Sequence, residues 1–159
     1  MTTICRKQLL AILRYLNAPS NTYDLGTNIR ADVCYDIEHT ERGWETFLIE
    51  RTSRFKVAVF DTETDACLHM LYGIVHWRKN YIQTPINLRQ LHSILIYLQV
   101  PEALYDFSGD MTRTGAYSIE WIEQGWEEYQ IENGRKHSVA VFGSETDACY
   151  DLLYRVIHL

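Results

Sequence analysis

Long apolar runs are missing from this chain: none approaches the roughly 18–20 residues that cross a bilayer, which argues against a membrane partner. No pair among Cys5, Cys34, Cys67 and Cys149 has the CxxC spacing of a zinc or redox site. The 8 glycines are too few and too scattered for a phosphate-cradling loop, and no GxGxxG, P-loop, HExxH or GxSxG stretch occurs. The opening MTTICRKQLLAILRYL has no small-residue cleavage site, and basic residues interrupt its amphipathic pattern. It reads as the first helix of a cytoplasmic protein, a reduced compartment suiting thiols placed to pack against helices. Finally, Lys and Arg are absent between Arg113 and Arg135.

What is present is a packed-protein composition, 47% apolar and 13% aromatic, written twice. VAVFDTETDAC begins at Val57 and VAVFGSETDAC at Val139, an offset of 82. The same offset pairs Gln8, Leu9, Ile12, Leu13, Tyr15, Leu16 and Pro19 with Gln90, Leu91, Ile94, Leu95, Tyr97, Leu98 and Pro101. It pairs Tyr35, Ile37, Glu38, Gly43, Trp44 and Glu45 with Tyr117, Ile119, Glu120, Gly125, Trp126 and Glu127, and His76 with His158. Roughly two positions in five agree with no insertion, which implies a tandem duplication. The expected domains are 1–81 and 82–159, joined near Asn80 to Thr84, with Thr84-Pro85 as an N-cap and first helical residue.

Each copy reads as helix, three-stranded antiparallel meander, helix. Leu9, Ile12, Leu13 and Leu16 have helical spacing, and Pro19 is expected to stop that helix. Val33 to Glu41, Trp44 to Arg51 and Phe55 to Phe60 read as strands, with Arg42-Gly43 as a turn. A second helix follows, with Ala66, Cys67, Met70, Leu71, Ile74 and Val75 on one stripe. The fold class is α+β, with helices on one face of each sheet. The copies are expected to pack about a pseudo-twofold axis as one compact unit, a monomer with an internal pseudo-dimer. In Thr62-Glu63-Thr64-Asp65 and Ser144-Glu145-Thr146-Asp147 the first hydroxyl caps a helix and the aspartate reaches back. The two acids of each first turn suit the helix dipole by about 0.3–1 kcal/mol each.

Candidate chemistry is sparse. His76 and His158 fall near helix ends, where a cation complements the dipole. Cys67 and His69 are two apart on a helix and point in different directions, and Asp151 replaces the histidine in the second copy, so no metal or cofactor is expected. Glu38, Glu50, Glu120 and Glu132 could pair for acid–base catalysis, but on a solvated sheet such glutamates serve as polar face residues. An enzyme is therefore not expected.

The copies differ most in charge. Residues 1–82 hold ten acidic and ten basic side chains, residues 83–159 eleven and five, so the net charge of -6 lies in the second copy. Glu120, Glu123, Glu127, Glu128 and Glu132 alternate there with Tyr117, Trp121, Trp126 and Tyr129. Strand alternation separates Glu127, Tyr129 and Ile131 from Trp126, Glu128, Gln130 and Glu132. An acidic face edged with aromatics steers and orients a basic protein and disfavours direct nucleic-acid binding. The candidate partner-binding residues are Glu120, Trp121, Glu123, Trp126, Glu127, Glu128, Gln130 and Glu132.

Each copy also joins a Gly-Trp-Glu turn and an Ile-Glu strand to Val-Ala-Val-Phe and a Glu-Thr-Asp-Ala-Cys helix start. In this the chain resembles the small immunity proteins encoded beside bacterial polymorphic and contact-dependent growth-inhibition toxins. The residues concerned are Trp44, Glu50, Arg51, Phe60, Glu63, Ala66 and Cys67 in the first copy. In the second they are Trp126, Glu132, Asn133, Gly134, Phe142, Glu145, Ala148 and Cys149. The first copy lacks the family's glycine after Arg51 and the second lacks its arginine. The resemblance implies a cytoplasmic, non-enzymatic protein that neutralises one cognate toxin domain, such as a basic nuclease. The alternatives are a regulatory adaptor whose two copies grip a symmetric partner, and an enzyme using carboxylate pairs.

Overall fold

A computed structural model describes residues 2–25, 33–76 and 85–159. The chain is mixed α+β and divides into two compact units, Thr3–Pro85 and Ile86–Leu159. Expectations for the junction at Asn80 to Thr84 lie outside the described residues.

In the first unit α1 (Arg6–Tyr15) buries Leu9, Ile12 and Leu13, the stripe its spacing predicts. Its end is not set by Pro19. Asn17 takes φ 56°, its N–H donates to Arg14 O at 3.1 Å, and the Ala18 N–H donates to Leu13 O at 2.9 Å. This left-handed Schellman turn satisfies the last carbonyls before the proline is reached. The second unit repeats it at Gln99, also φ 56°, after α3 (Leu88–Tyr97). That helix starts later than Thr84-Pro85 suggests. Asn87 is its N-cap, accepting from the Gln90 N–H at 2.9 Å while Gln90 Oε1 accepts the Asn87 N–H at 3.1 Å.

Strands β2 (Val33–Thr40), β3 (Gly43–Glu50) and β4 (Ser53–Phe60) form the expected antiparallel meander. A two-residue strand that the meander reading did not anticipate, β1 (Tyr23–Asp24), extends it in parallel, pairing Tyr23 with Tyr35. The sheet order is β1-β2-β3-β4. The second unit has β5 (Tyr117–Ile122), β6 (Gly125–Glu132) and β7 (Arg135–Phe142), with a lone parallel bridge from Tyr105 to Tyr117 in place of β1. Both meanders slip register, between Thr46 and Leu48 and between Glu128 and Tyr129. Such bulges twist an edge strand away from flat pairing.

Helix α2 (Glu63–Val75) packs on α1 and on β2, β3 and β4; α4 (Glu145–Ile157) packs on α3 and on β5, β6 and β7. Ala66, Cys67, Met70, Leu71, Ile74 and Val75 are all buried, as are Ala148, Cys149, Leu152, Leu153, Val156 and Ile157.

The repeated Glu-Thr-Asp is used twice in each unit. Thr62 Oγ1 accepts the Asp65 N–H at 3.0 Å and Ser144 Oγ accepts the Asp147 N–H at 3.1 Å, starting α2 and α4. The next two residues serve the other helix. Glu63 Oε1 accepts the Arg6 N–H at 2.9 Å and Thr64 Oγ1 accepts the Ile4 N–H at 3.1 Å. Glu145 and Thr146 do the same for Leu88 and Ile86, at 2.8 and 3.2 Å. Each pair of helices is thus clasped at its N-termini, where free N–H groups need acceptors. No described helix is long and apolar enough to cross a membrane.

Candidate functional site

The acidic, aromatic residues converge on the hairpin joining β5 to β6. Its turn ends on Gly125, φ +136°, opposite Ile122. Trp121 and Trp126 are register partners with ring centroids 5.6 Å apart in a T-shaped contact, and Trp121 is 63% exposed. Glu120 and Glu127 are also register partners, so alternation places them on the opposite side of the hairpin from the tryptophans. Glu123 is exposed in the turn itself.

Three of the eight candidate residues leave this cluster. Glu132 is exposed at the other end of β6, beside the turn into β7, with its Oε2 3.6 Å from His137 Nε2. Gln130 is half-buried, its Nε2 donating to Gly115 O at 3.3 Å. Glu128 is withdrawn altogether: its side chain has no exposed surface and lies under α4, where Arg155 Nε donates to Oε1 at 2.9 Å. A sheet with helices on it gives alternate strand residues to the interior, and position 128 is one of them. The residues left at the hairpin are therefore Trp121 and Glu123, which are exposed, and Glu120, Trp126 and Glu127, which are half-buried.

Cations from outside the Lys- and Arg-free window fold back on part of it. Lys136 pairs with Glu120 and lies 4.6 Å from the Tyr129 ring centroid. Among the described residues no ion pair joins Glu123 or Glu127. The first unit shows why this corner is distinctive. There Glu45, the counterpart of Glu127, is buried; it accepts from Arg42 Nε at 2.8 Å and from the Thr40 hydroxyl at 2.7 Å. These contacts hold its carboxyl below the usual carboxylate range. Arg6 stands over the Trp44 ring at 5.0 Å, and His39 lies 4.9 Å from the same ring. At the offset of 82, Arg6, His39, Thr40 and Arg42 become Leu88, Trp121, Ile122 and Gln124. Glu127 and Trp126 thus lack the polar and cationic covers of Glu45 and Trp44, while Glu120 keeps a cation, Lys136 standing where Arg54 pairs with Glu38.

His76 and His158 cap the C-termini of α2 and α4, each Nδ1 meeting the carbonyl four residues back, Tyr72 at 2.9 Å and Tyr154 at 2.7 Å. Each imidazole also stacks on that tyrosine, at 4.0 and 4.2 Å. Burial pushes the Cys67 thiol up to about 12 and raises that of Cys149 as well, so neither is an activated nucleophile. His69 faces Thr46, Nδ1 to Oγ1 at 2.9 Å, and burial lowers its pKa.

The cluster of Glu128, Asp151 and Arg155 was not read from the sequence. The signal was there: at the offset of 82, Thr46, His69 and Gly73 change together to Glu128, Asp151 and Arg155, with the last two a helical turn apart. The chain matches no protein-family model, no curated protein and no solved structure.

Proposed function

We propose that this protein is an immunity-type inhibitor that holds a basic toxin domain against the β5–β6 hairpin of its second unit. The observation that carries the reading is the uncovered corner. Glu120, Glu123 and Glu127 supply negative potential there, and Trp121 with Trp126 offers aromatic surface beside it. Carboxylates at a rim raise the encounter rate and orient the partner, while a desolvated tryptophan supplies retained binding energy. The resemblance to immunity proteins supplies the class of partner. A nuclease domain, basic where it grips phosphate, fits the charge.

The fold supports a history as well. The shared clasp, left-handed helix ends, register slips and helix-capping histidines support a tandem duplication, each copy carrying its helices on one face of its sheet. The first copy then serves as scaffold, and the second has lost the covers over Glu127 and Trp126.

The test is capture from the source cell, with the native chain and a variant carrying Trp121→Ala, Glu123→Gln and Glu127→Gln as baits. The expected result is one basic toxin domain held by the native chain, released by the variant, and no longer toxic when the native chain is co-expressed. A toxin held equally by both baits sinks the assignment of the surface. Failure of every captured protein to be neutralised sinks the inhibitor reading.

A further inference from the structure

The polar cluster beneath α4 has no counterpart in charge beneath α2. Under α2 the equivalent positions hold Thr46, His69 and Gly73, and a Cβ on Gly73 would lie 2.8 Å from the Tyr35 ring. Under α4 they hold two carboxyl groups and one guanidinium. Arg155 Nε donates to Glu128 Oε1 at 2.9 Å and its NH2 group donates to Asp151 Oδ2 at 2.7 Å. The guanidinium lies 5.8 Å from the Tyr117 ring centroid. Glu128 is 0% exposed, and its Oε2 accepts no hydrogen bond from any described residue.

Full ionisation would set a fully buried Glu128 carboxylate beside the half-exposed Asp151 carboxylate, two negative charges against one positive, with one buried oxygen unsolvated and unpaired. Such an excess charge is costly in a medium that cannot reorganise around it. A proton on Glu128 Oε2 removes the excess and turns the orphan acceptor into a donor toward the Asp151 carboxylate. The groups facing Glu128 across the sheet do not offset this: its register partners are Ile119 on β5 and Ala140 on β7. Tyr117 on β5, beneath Arg155, adds only a phenol. The charged groups around the site are thus Asp151 and Arg155 of α4.

We propose that Glu128 holds a proton beside Asp151 and Arg155, and that its loss as pH rises loosens α4 from the sheet of the second unit alone. The surroundings agree in direction: burial pushes the Glu128 carboxyl up, the neighbouring Asp151 carboxylate adds to the rise and Arg155 opposes it, with a net value of about 8. The folded state then binds this proton more tightly than the unfolded chain. Its stabilising contribution is complete below the ordinary glutamate range and is lost as pH rises through about 8. The inference concerns the chain by itself and stands apart from the identity of any partner.

The test uses the full chain with carbon-13 in the glutamate side-chain carboxyls, followed by NMR across the pH range, together with hydrogen exchange of the backbone. Expected are a Glu128 carboxyl that titrates near about 8 and α4 amides that lose about tenfold protection between about pH 6 and about pH 9, after correction for intrinsic exchange. The α2 amides serve as the internal control and hold their protection. In Glu128→Gln the excess loss in α4 disappears. A Glu128 carboxyl titrating in the ordinary carboxylate range overturns the retained proton, and that reading needs no variant to fold. Equal loss of protection in α2 and α4 overturns the link to α4.

Discussion

At the turn between β5 and β6, a Cβ on Gly125 would lie 2.5 Å from Phe142 O, and φ there is +136°. Gly43 repeats the arrangement against Phe60 O at 2.7 Å. Only glycine accepts both the backbone angle and the approach, so Gly125→Ala is expected to destabilise the second unit by about 1–3 kcal/mol in urea denaturation. Trp121 presents the opposite case. With most of its ring in solvent, Trp121→Ala is expected to leave the melting temperature within about 2 °C of native while weakening binding of the proposed toxin partner at least about tenfold. Calorimetry of melting and of binding separates the two effects. Glu45 carries a pH prediction of ordinary sign. Arg42 and then Thr40 depress its folded pKa, so its contribution is present above the unfolded value and lost on acidification. Arg42→Ala is expected to shrink the loss of stability between about pH 5 and about pH 3, measured by urea midpoints at each pH.

At the scale of elements, the helix clasp is the feature to perturb. Glu63→Ala removes the acceptor for the Arg6 N–H and a charge from the first turn of α2. A cost of about 1–2 kcal/mol is expected, matched by Glu145→Ala in the second unit. Glu63→Gln keeps an acceptor oxygen and is expected to recover part of it. Denaturation midpoints of the three variants check this; a loss confined to one unit would show that the clasps are not equivalent. Here the sequence was half legible. Thr62 and Ser144 could be read as caps because a cap lies three residues from its donor. The service that Glu63 gives Arg6 spans 57 residues and appears only when the helices meet. Short β1 escaped for a similar reason, since two residues carry no alternation and its parallel pairing depends on β2 being in place. The burial of Glu128 escaped because alternation sorts residues into two faces without saying which face a helix will cover.

Across the whole molecule, charge is divided unevenly: the surplus of -6 belongs to residues 83–159. Association with the proposed basic partner is therefore expected to weaken by about tenfold between about 0.05 and about 0.3 M salt, mainly through slower encounter. Stopped-flow association rates would show it, and a salt-independent rate would argue for an apolar interface instead. The four cysteines divide the molecule differently. All are thiols; Cys5 is partly exposed, while Cys34, Cys67 and Cys149 are buried. Cys67 and Cys149 stand at the same step of α2 and α4, shielded until their own helix lifts. Under native conditions an alkylating reagent should mark Cys5 first, then wait. The delay at Cys67 then times the opening of one unit and the delay at Cys149 that of the other. The two helices thus give the chain a pair of matched chemical clocks, readable by mass without adding a probe.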